Sequence, residues 1–266
     1  MRLILNQASR SFARALALVI VVALAVPALS AGTVGAAAEG KAPKRVTVVA
    51  AFYPLAEAVR RVGGPVVRVV DLTPAGAEPH DLELTPDQVD ALEDARLAVV
   101  MGQGFQPGVE KVADRRDGPT LDVLAALHRD ALDPHVWLDP TLMSQIVDVV
   151  QAELTTVDPA RAVDFQARAD AFRAELARLD GDYRAGLATC ARHEIVTAHE
   201  AFGYLARRYG LTQLGVAGLS PDAEPGANRL AELADLARED GMTTVFTEEL
   251  VSPKVARTLA REAGGL

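Results

Sequence analysis

Three histidines stand where a chain could gather metal donors. His80 closes Gly76-Ala77-Glu78-Pro79-His80-Asp81, His135 sits in Asp133-Pro134-His135-Val136-Trp137-Leu138-Asp139-Pro140, and His199 follows Ile195-Val196-Thr197-Ala198. Neutral imidazole is a favoured donor to first-row metals, and three such rings converging without thiolate suit zinc. The separations of 55 and 64 residues require that the fold, not a local motif, assemble the site. A lone histidine is more often a surface or hydrogen-bonded residue. His128 and His193, flanked by Arg129 and by Arg192 and Glu194, fit that plainer reading. The two prolines stiffen the segment around His135. There Asp133 and Asp139 either orient the ring as acceptors or cap the following helix. Three histidines with an open position are also a hydrolase layout, but no well-matched motif supplies a general base.

Other chemistries find little support. The chain has no Gly-x-Ser-x-Gly elbow, no phosphate-binding Gly-x-x-x-x-Gly-Lys loop and no His-Glu-x-x-His. His199-Glu200 begins the last, but Gly203 stands where its second histidine belongs. Gly102-Gln103-Gly104 lacks the third glycine of a dinucleotide loop. Cys190 is the one cysteine among 266 residues, which excludes a disulfide framework and a thiolate cluster.

The elements that must position these side chains follow from apolar periodicity. Arg45–Ala51, Val66–Leu72, Leu97–Met101 and Thr120–Val123 read as short strands. A helix with Pro54 near its first turn runs through Val62, and Gly63-Gly64 stops it. Thr85 is an N-cap with Pro86 at the first helical position, opening a helix to Asp94. Gly102–Gly104 is read as loop, and Pro140–Val157 as a helix. Pro159–Leu187 reads as one long helix, with Phe165, Ala169, Phe172, Leu176 and Leu179 at three- and four-residue spacing. Strand and helix alternation then resumes: strands at Glu194–Thr197, Gln213–Ala217 and Thr243–Thr247, helices at Ala198–Tyr209, Asn228–Asp240 and Pro253–Ala263.

This pattern predicts an α/β fold: two α/β lobes with parallel sheets, joined by one long rigid helix. The expected organisation is an N-terminal lobe over 45–158, a linker helix over 159–190 and a C-terminal lobe over 191–266. His80 and His199 follow predicted strands, where ligands of such lobes bind.

Before residue 45 the sequence has another character. Arg2, Arg10 and Arg14 precede an apolar run, Ala15–Val26, which Pro27 breaks; Ala28-Leu29-Ser30-Ala31 supplies small residues for cleavage. Residues 1–31 therefore read as a secretory signal peptide, with an uncleaved anchor as the alternative, and 32–44 as a flexible tether. Leu29-Ser30-Ala31-Gly32 resembles a lipobox, but Gly32 occupies the place of the lipidated cysteine. The whole chain carries 27 basic and 36 acidic residues, a net charge of −9; without the three leader arginines the net charge is −12. An acidic body of pI near 5.1 argues against nucleic acid as a partner. It fits an exported protein whose field concentrates cations.

Taken together, Phe52-Tyr53-Pro54-Leu55, Pro74–Asp81, Leu84-Thr85-Pro86, Asp133–Pro140, Thr197–Leu205 and Leu219–Pro225 resemble the metal-specific solute-binding proteins of bacterial ATP-binding-cassette importers, the zinc and manganese family. The resemblance runs from about Arg45 to Leu266. It implies two lobes bridged by a long helix, with the metal in the inter-lobe cleft on four side chains. It also implies delivery of Zn²⁺ to a membrane permease by a non-enzymatic receptor, expected to be a monomer. His80, His135 and His199 match three of the family's ligands. Manganese members typically carry Glu at the third position, so His199 points to zinc; a manganese or iron receptor is the nearest alternative, and a cell-surface adhesin of the same fold another. The family's fourth ligand is usually an Asp beyond Leu266, so the chain reads as truncated at its C-terminus. Water, or a carboxylate such as Glu248, would then complete the site. The His-rich acidic loop of many zinc members has no counterpart, since 106–132 contain only His128.

Overall fold

Val46–Ala50 (β1) is a run of mostly β-branched residues, and Val48, Val49 and Ala50 are wholly buried. Burial on both faces is what a central parallel strand requires, and it explains the unbroken apolar sequence. In the computed structural model, residues 45–129, 133–221, 226–239, 241–242, 244–248 and 254–262 are described. The signal peptide and tether expected over 1–44 lie outside them. β1 pairs in parallel with Val67–Asp71 (β2) on one side and Leu97–Val100 (β3) on the other; Thr120–Asp122 (β4) completes the order β2-β1-β3-β4.

Local chemistry sets the connections. Tyr53–Gly63 (α1) ends at Gly64, whose φ of 59° favours glycine and whose Cα lies against the Arg168 guanidinium. Pro86–Glu93 (α2) opens with a complete capping box: Thr85 accepts from the Gln88 backbone while the Gln88 side chain accepts from the Thr85 backbone. Pro107–Ala113 (α3) and Val123–Ala126 (α4) are helices where the sequence suggested none. Seven and four residues are too few to display a 3.6-residue period. The strand expected through Val123 stops at Asp122, because the Asp122 carboxylate caps α4 through the Ala125 N–H at 2.9 Å.

Pro140–Val157 (α5) has the expected bounds and packs Ile146, Val147 and Val150 against the first core. Pro159–Arg161 forms a tight 3-10 turn, and the long helix proper is Ala162–Leu187 (α6), 26 residues or about 39 Å. Its buried stripe, Phe165, Ala169, Phe172 and Leu176, belongs to the first core; Leu179 and Tyr183 beyond it are exposed. Arg61 of α1 pairs with Glu175 at 2.5 Å and lies over the Phe172 ring, fastening the same half of the helix.

A second parallel sheet follows: Glu194–Thr197 (β5) is flanked by Thr212–Gly215 (β6) and Val245–Phe246 (β7) in the order β6-β5-β7. The helix expected over Ala198–Tyr209 begins later. His199 is extended, Glu200–Phe202 is a 3-10 turn, and Gly203–Tyr209 (α7) is the helix. Ala227–Glu239 (α8) and Lys254–Glu262 (α9) cover the sheet. Its core among the described residues is small: Val196, Val216, Leu233, Ala234, Ala237, Met242 and Leu259. No helix among the described residues is long and apolar enough to cross a membrane.

Candidate metal centre

The three histidines come from three different connections. His80 lies on the loop after β2, His135 precedes α5, and His199 follows β5. The fold brings them together: their ring centroids are 5.3 to 5.9 Å apart, and a set of one nitrogen from each lies within 4.8 Å of one another. Two nitrogens on a tetrahedral zinc ion stand about 3.4 Å apart, so a small inward shift suffices. Each sheet offers its donor beyond the carboxyl end of a strand, as open α/β sheets do. His128 and His193 take no part in the group.

Both nitrogens of each ring can be accounted for. Nδ1 of His80 meets Glu78 Oε1 at 2.7 Å, that of His135 meets Asp133 Oδ1 at 2.9 Å, and that of His199 meets Glu248 Oε1 at 2.6 Å. An ionised carboxylate can only accept, so each Nδ1 carries a proton, and in the neutral ring each Nε2 presents a lone pair. The Nε2 atoms of all three are buried without a hydrogen-bond partner; the only other such side-chain atom among the described residues is Gln106 Oε1. Leaving a buried acceptor unsatisfied costs about 1–3 kcal/mol, so three in one place mark a site built for a ligand. These residues fit a metal ion.

Two of the three settings are the same local device. Glu78-Pro79-His80 and Asp133-Pro134-His135 each place a carboxylate two residues before the histidine. In both, that carboxylate accepts from the histidine backbone N–H and from Nδ1. Burial pushes the Glu78 carboxyl up, but the hydrogen bonds from the His80 ring and backbone outweigh it and hold it below its ordinary value. Burial holds the His135 ring below its ordinary value, and the neighbouring His199 and His80 rings act in the same direction. The neutral, metal-binding form is thus favoured there.

Asp139 serves the helix instead: it caps α5 through the Thr141 N–H at 2.8 Å, while Asp133 is the partner of the His135 ring. Glu78 is the site residue that sequence reasoning passed over as a partner of histidine, although the repeated acid-Pro-His tripeptide was visible. Glu248, expected as a possible fourth ligand, is not in the group of three that could hold an ion; its Oε1 meets the outer nitrogen of His199. Around the rings, Phe105 packs on His80 at 4.6 Å and Trp137 on His135 at 5.2 Å, with Phe52 touching both aromatics. A cavity of about 160 Å³, lined by His80, Gln103, Gly104, Phe105, Pro134, Leu219 and Ser220, opens beside this cluster.

Known proteins share this arrangement of chain. Residues 48–266 match the family described as ZnuA, the periplasmic component A of a zinc-uptake complex. The chain belongs to the ZnuA family. It is 33% identical over 258 residues to the zinc-binding protein AdcA of Streptococcus pyogenes serotype M1, covering 85% of this chain and 49% of that protein. With the high-affinity zinc uptake system protein ZnuA of Bacillus subtilis it shares 35% identity over 263 residues, covering 91% and 82%. The chain thus spans about half the length of the AdcA relatives it matches. Among solved structures, the laminin-binding protein Lmb of Streptococcus agalactiae superposes with a TM-score of 0.78 at 30% identity, over 84% of this chain and 87% of that one. Lmb is described as a bifunctional protein with adhesin and metal-transporting activity. The α/β architecture with parallel sheets and one long helix is therefore that of the ZnuA family.

Proposed function

We propose that this ZnuA-family chain is an extracytoplasmic receptor that binds Zn²⁺ and delivers it to an ATP-driven membrane importer. The observation that carries the reading is the convergence of three buried, unpartnered Nε2 atoms at His80, His135 and His199. An all-imidazole set suits zinc better than the harder manganese ion. The names of the relatives, zinc-binding AdcA and zinc-uptake ZnuA, agree with that choice. Zinc here is cargo. A fourth position is left for water or a carboxylate, and Glu248 contributes through His199. In this reading 45–158 and 191–266 are the lobes, 159–190 is the linker, 1–31 is removed on export, and the receptor acts as a monomer.

A zinc hydrolase reading fits less well. Glu78, Asp133 and Glu248 are each engaged by an Nδ1, so none of the three is placed as a general base. The resemblance to Lmb favours adhesion as a second role; binding of the purified protein to immobilised laminin, absent for a denatured control, would support it. The decisive experiment for the receptor is competition titration of Zn²⁺ and Mn²⁺ against a chromophoric chelator. Zinc is expected to win at equal free concentration, and His135→Ala to cut zinc affinity at least about 100-fold, beyond the usual loss from a supporting residue. Manganese winning, or an unchanged affinity in His135→Ala, would sink the reading.

A further inference from the structure

By chain order α7 belongs with the second sheet, yet its side chains grip the first lobe. Tyr204 is buried in the first lobe's core, and its hydroxyl donates to the Asp133 carbonyl at 3.2 Å. The backbone at Gly203 approaches so closely that a Cβ there would stand 3.0 Å from Asp133 Oδ2. Five residues on, Arg208 Nε lies 2.6 Å from Asp180 Oδ1 in the C-terminal third of α6 and 3.3 Å from Asp139 Oδ1 at the start of α5. Tyr209 donates to the same Asp180 oxygen at 3.0 Å and stacks on Tyr183 of α6 at 5.1 Å.

The placement of these contacts is what gives them a role. Asp133 and Asp139 bracket His135, and α7 begins four residues after His199. Two turns of helix therefore tie the segment carrying one donor to the segment carrying another, and both to the long helix. Arg208, Asp139 and Asp180 are each at most 17% exposed at the side chain, so solvent and salt screen these pairs less than surface pairs. Both contacts are made from the Arg208 Nε, and the planar guanidinium reaches them with a fixed geometry that the flexible stem of a lysine does not impose.

We propose that Arg208 is a positioning residue for the metal centre: by pairing with Asp139 and Asp180 together, it fixes the spacing between His199 and His135. This rests on the zinc-receptor reading. Arg208 touches no donor atom, so its effect on zinc must pass through His199.

A double-mutant cycle tests it, with zinc affinity measured by chelator competition and stability by thermal unfolding. Arg208→Met is expected to weaken zinc binding about tenfold in the wild-type background, yet less than about twofold when His199 is already Ala, because contacting networks couple and independent ones add. The fall in Tm should be alike in both backgrounds. A folded Arg208→Met protein with wild-type affinity overturns the proposal, as does an equal loss in both backgrounds, which marks a general structural role. Should Arg208→Met fail to fold, Arg208→Lys and Tyr209→Phe take its place; each is expected to give a smaller loss that again vanishes without His199, and unchanged affinity in both overturns the proposal. A failure of the underlying reading looks different: His199→Ala alone would then bind zinc like wild type.

Discussion

Imidazole can carry its proton on either nitrogen, and the partner of Nδ1 decides which nitrogen faces a metal. Here three carboxylates make that choice three times, two of them from within an acid-Pro-His tripeptide and one, Glu248, from just beyond the end of β7, the strand that pairs with β5. Glu248 supplies the sharpest test. Removing its carboxylate in Glu248→Ala is expected to cost about 10–100-fold in zinc affinity, the usual range for an outer partner of a ligating histidine. Glu248→Gln keeps an acceptor oxygen and should retain most of the affinity. Long-range ¹⁵N NMR of the metal-free protein should show His199 protonated at Nδ1 in wild type, with that preference weakened in Glu248→Ala. Unchanged affinity and tautomer in the Ala variant would remove Glu248 from the site.

Each element near the centre is placed by a chemical stop or start. Thr85 and Gln88 open α2, Asp122 ends β4 by capping α4, and Asp139 opens α5 one turn after His135. The junction of α6 and α7 is electrostatic. Hydrogen bonds from Arg208, Tyr209 and Arg184 hold the Asp180 carboxyl well below its ordinary 3.8, and burial with Asp180 alongside pushes the Tyr209 hydroxyl up to about 12. A carboxyl whose folded-state value is depressed adds stability that is whole above its unfolded value and fades as pH falls through the folded one. The Tm gap between wild type and Asp180→Asn should therefore be widest above about pH 4 and narrow steadily under stronger acid. A gap that stays constant from pH 6 to pH 2 would mean the carboxylate charge is not what holds the junction.

At the scale of the whole molecule the two sheets rest on unequal cores. The first buries a set running from Val48 to Leu176 plus Tyr204; the second buries seven residues among those described. Local opening follows buried apolar contact. In the metal-free protein, amides of β5 and β6 are thus expected to exchange hydrogen faster than those of β1 and β3. A ligand that binds only the folded form stabilises it, by about 4 kcal/mol at a thousand times Kd. Zinc bridging His199 to His80 and His135 should slow exchange most in β5 and α7. Uniform protection across both sheets, or none, would count against a metal shared between them. The first half of α6 is embedded in the first core, and α7 clamps its C-terminal third, so only modest lobe movement is expected on loading. Small-angle scattering with and without zinc measures it.

The sequence alone determined which elements form and in what order, because strand runs, capping residues and the period of α6 are local signals. It also singled out the candidate donors: His80, His135 and His199 in loops after strands or between prolines. Short-range patterns failed where helices had too few residues to show a period, as in α3 and α4. Tertiary structure decided what no local signal encodes: that three rings separated by 55 and 64 residues bring one nitrogen each within 4.8 Å of the others, with their Nε2 atoms buried and unpartnered. It decided as well that Glu248 faces the outer nitrogen of His199, and that α7 reaches back to the first lobe. Those outcomes depend on which strands are neighbours and which ends of the sheets face each other, and such long-range packing leaves no period to read along the chain.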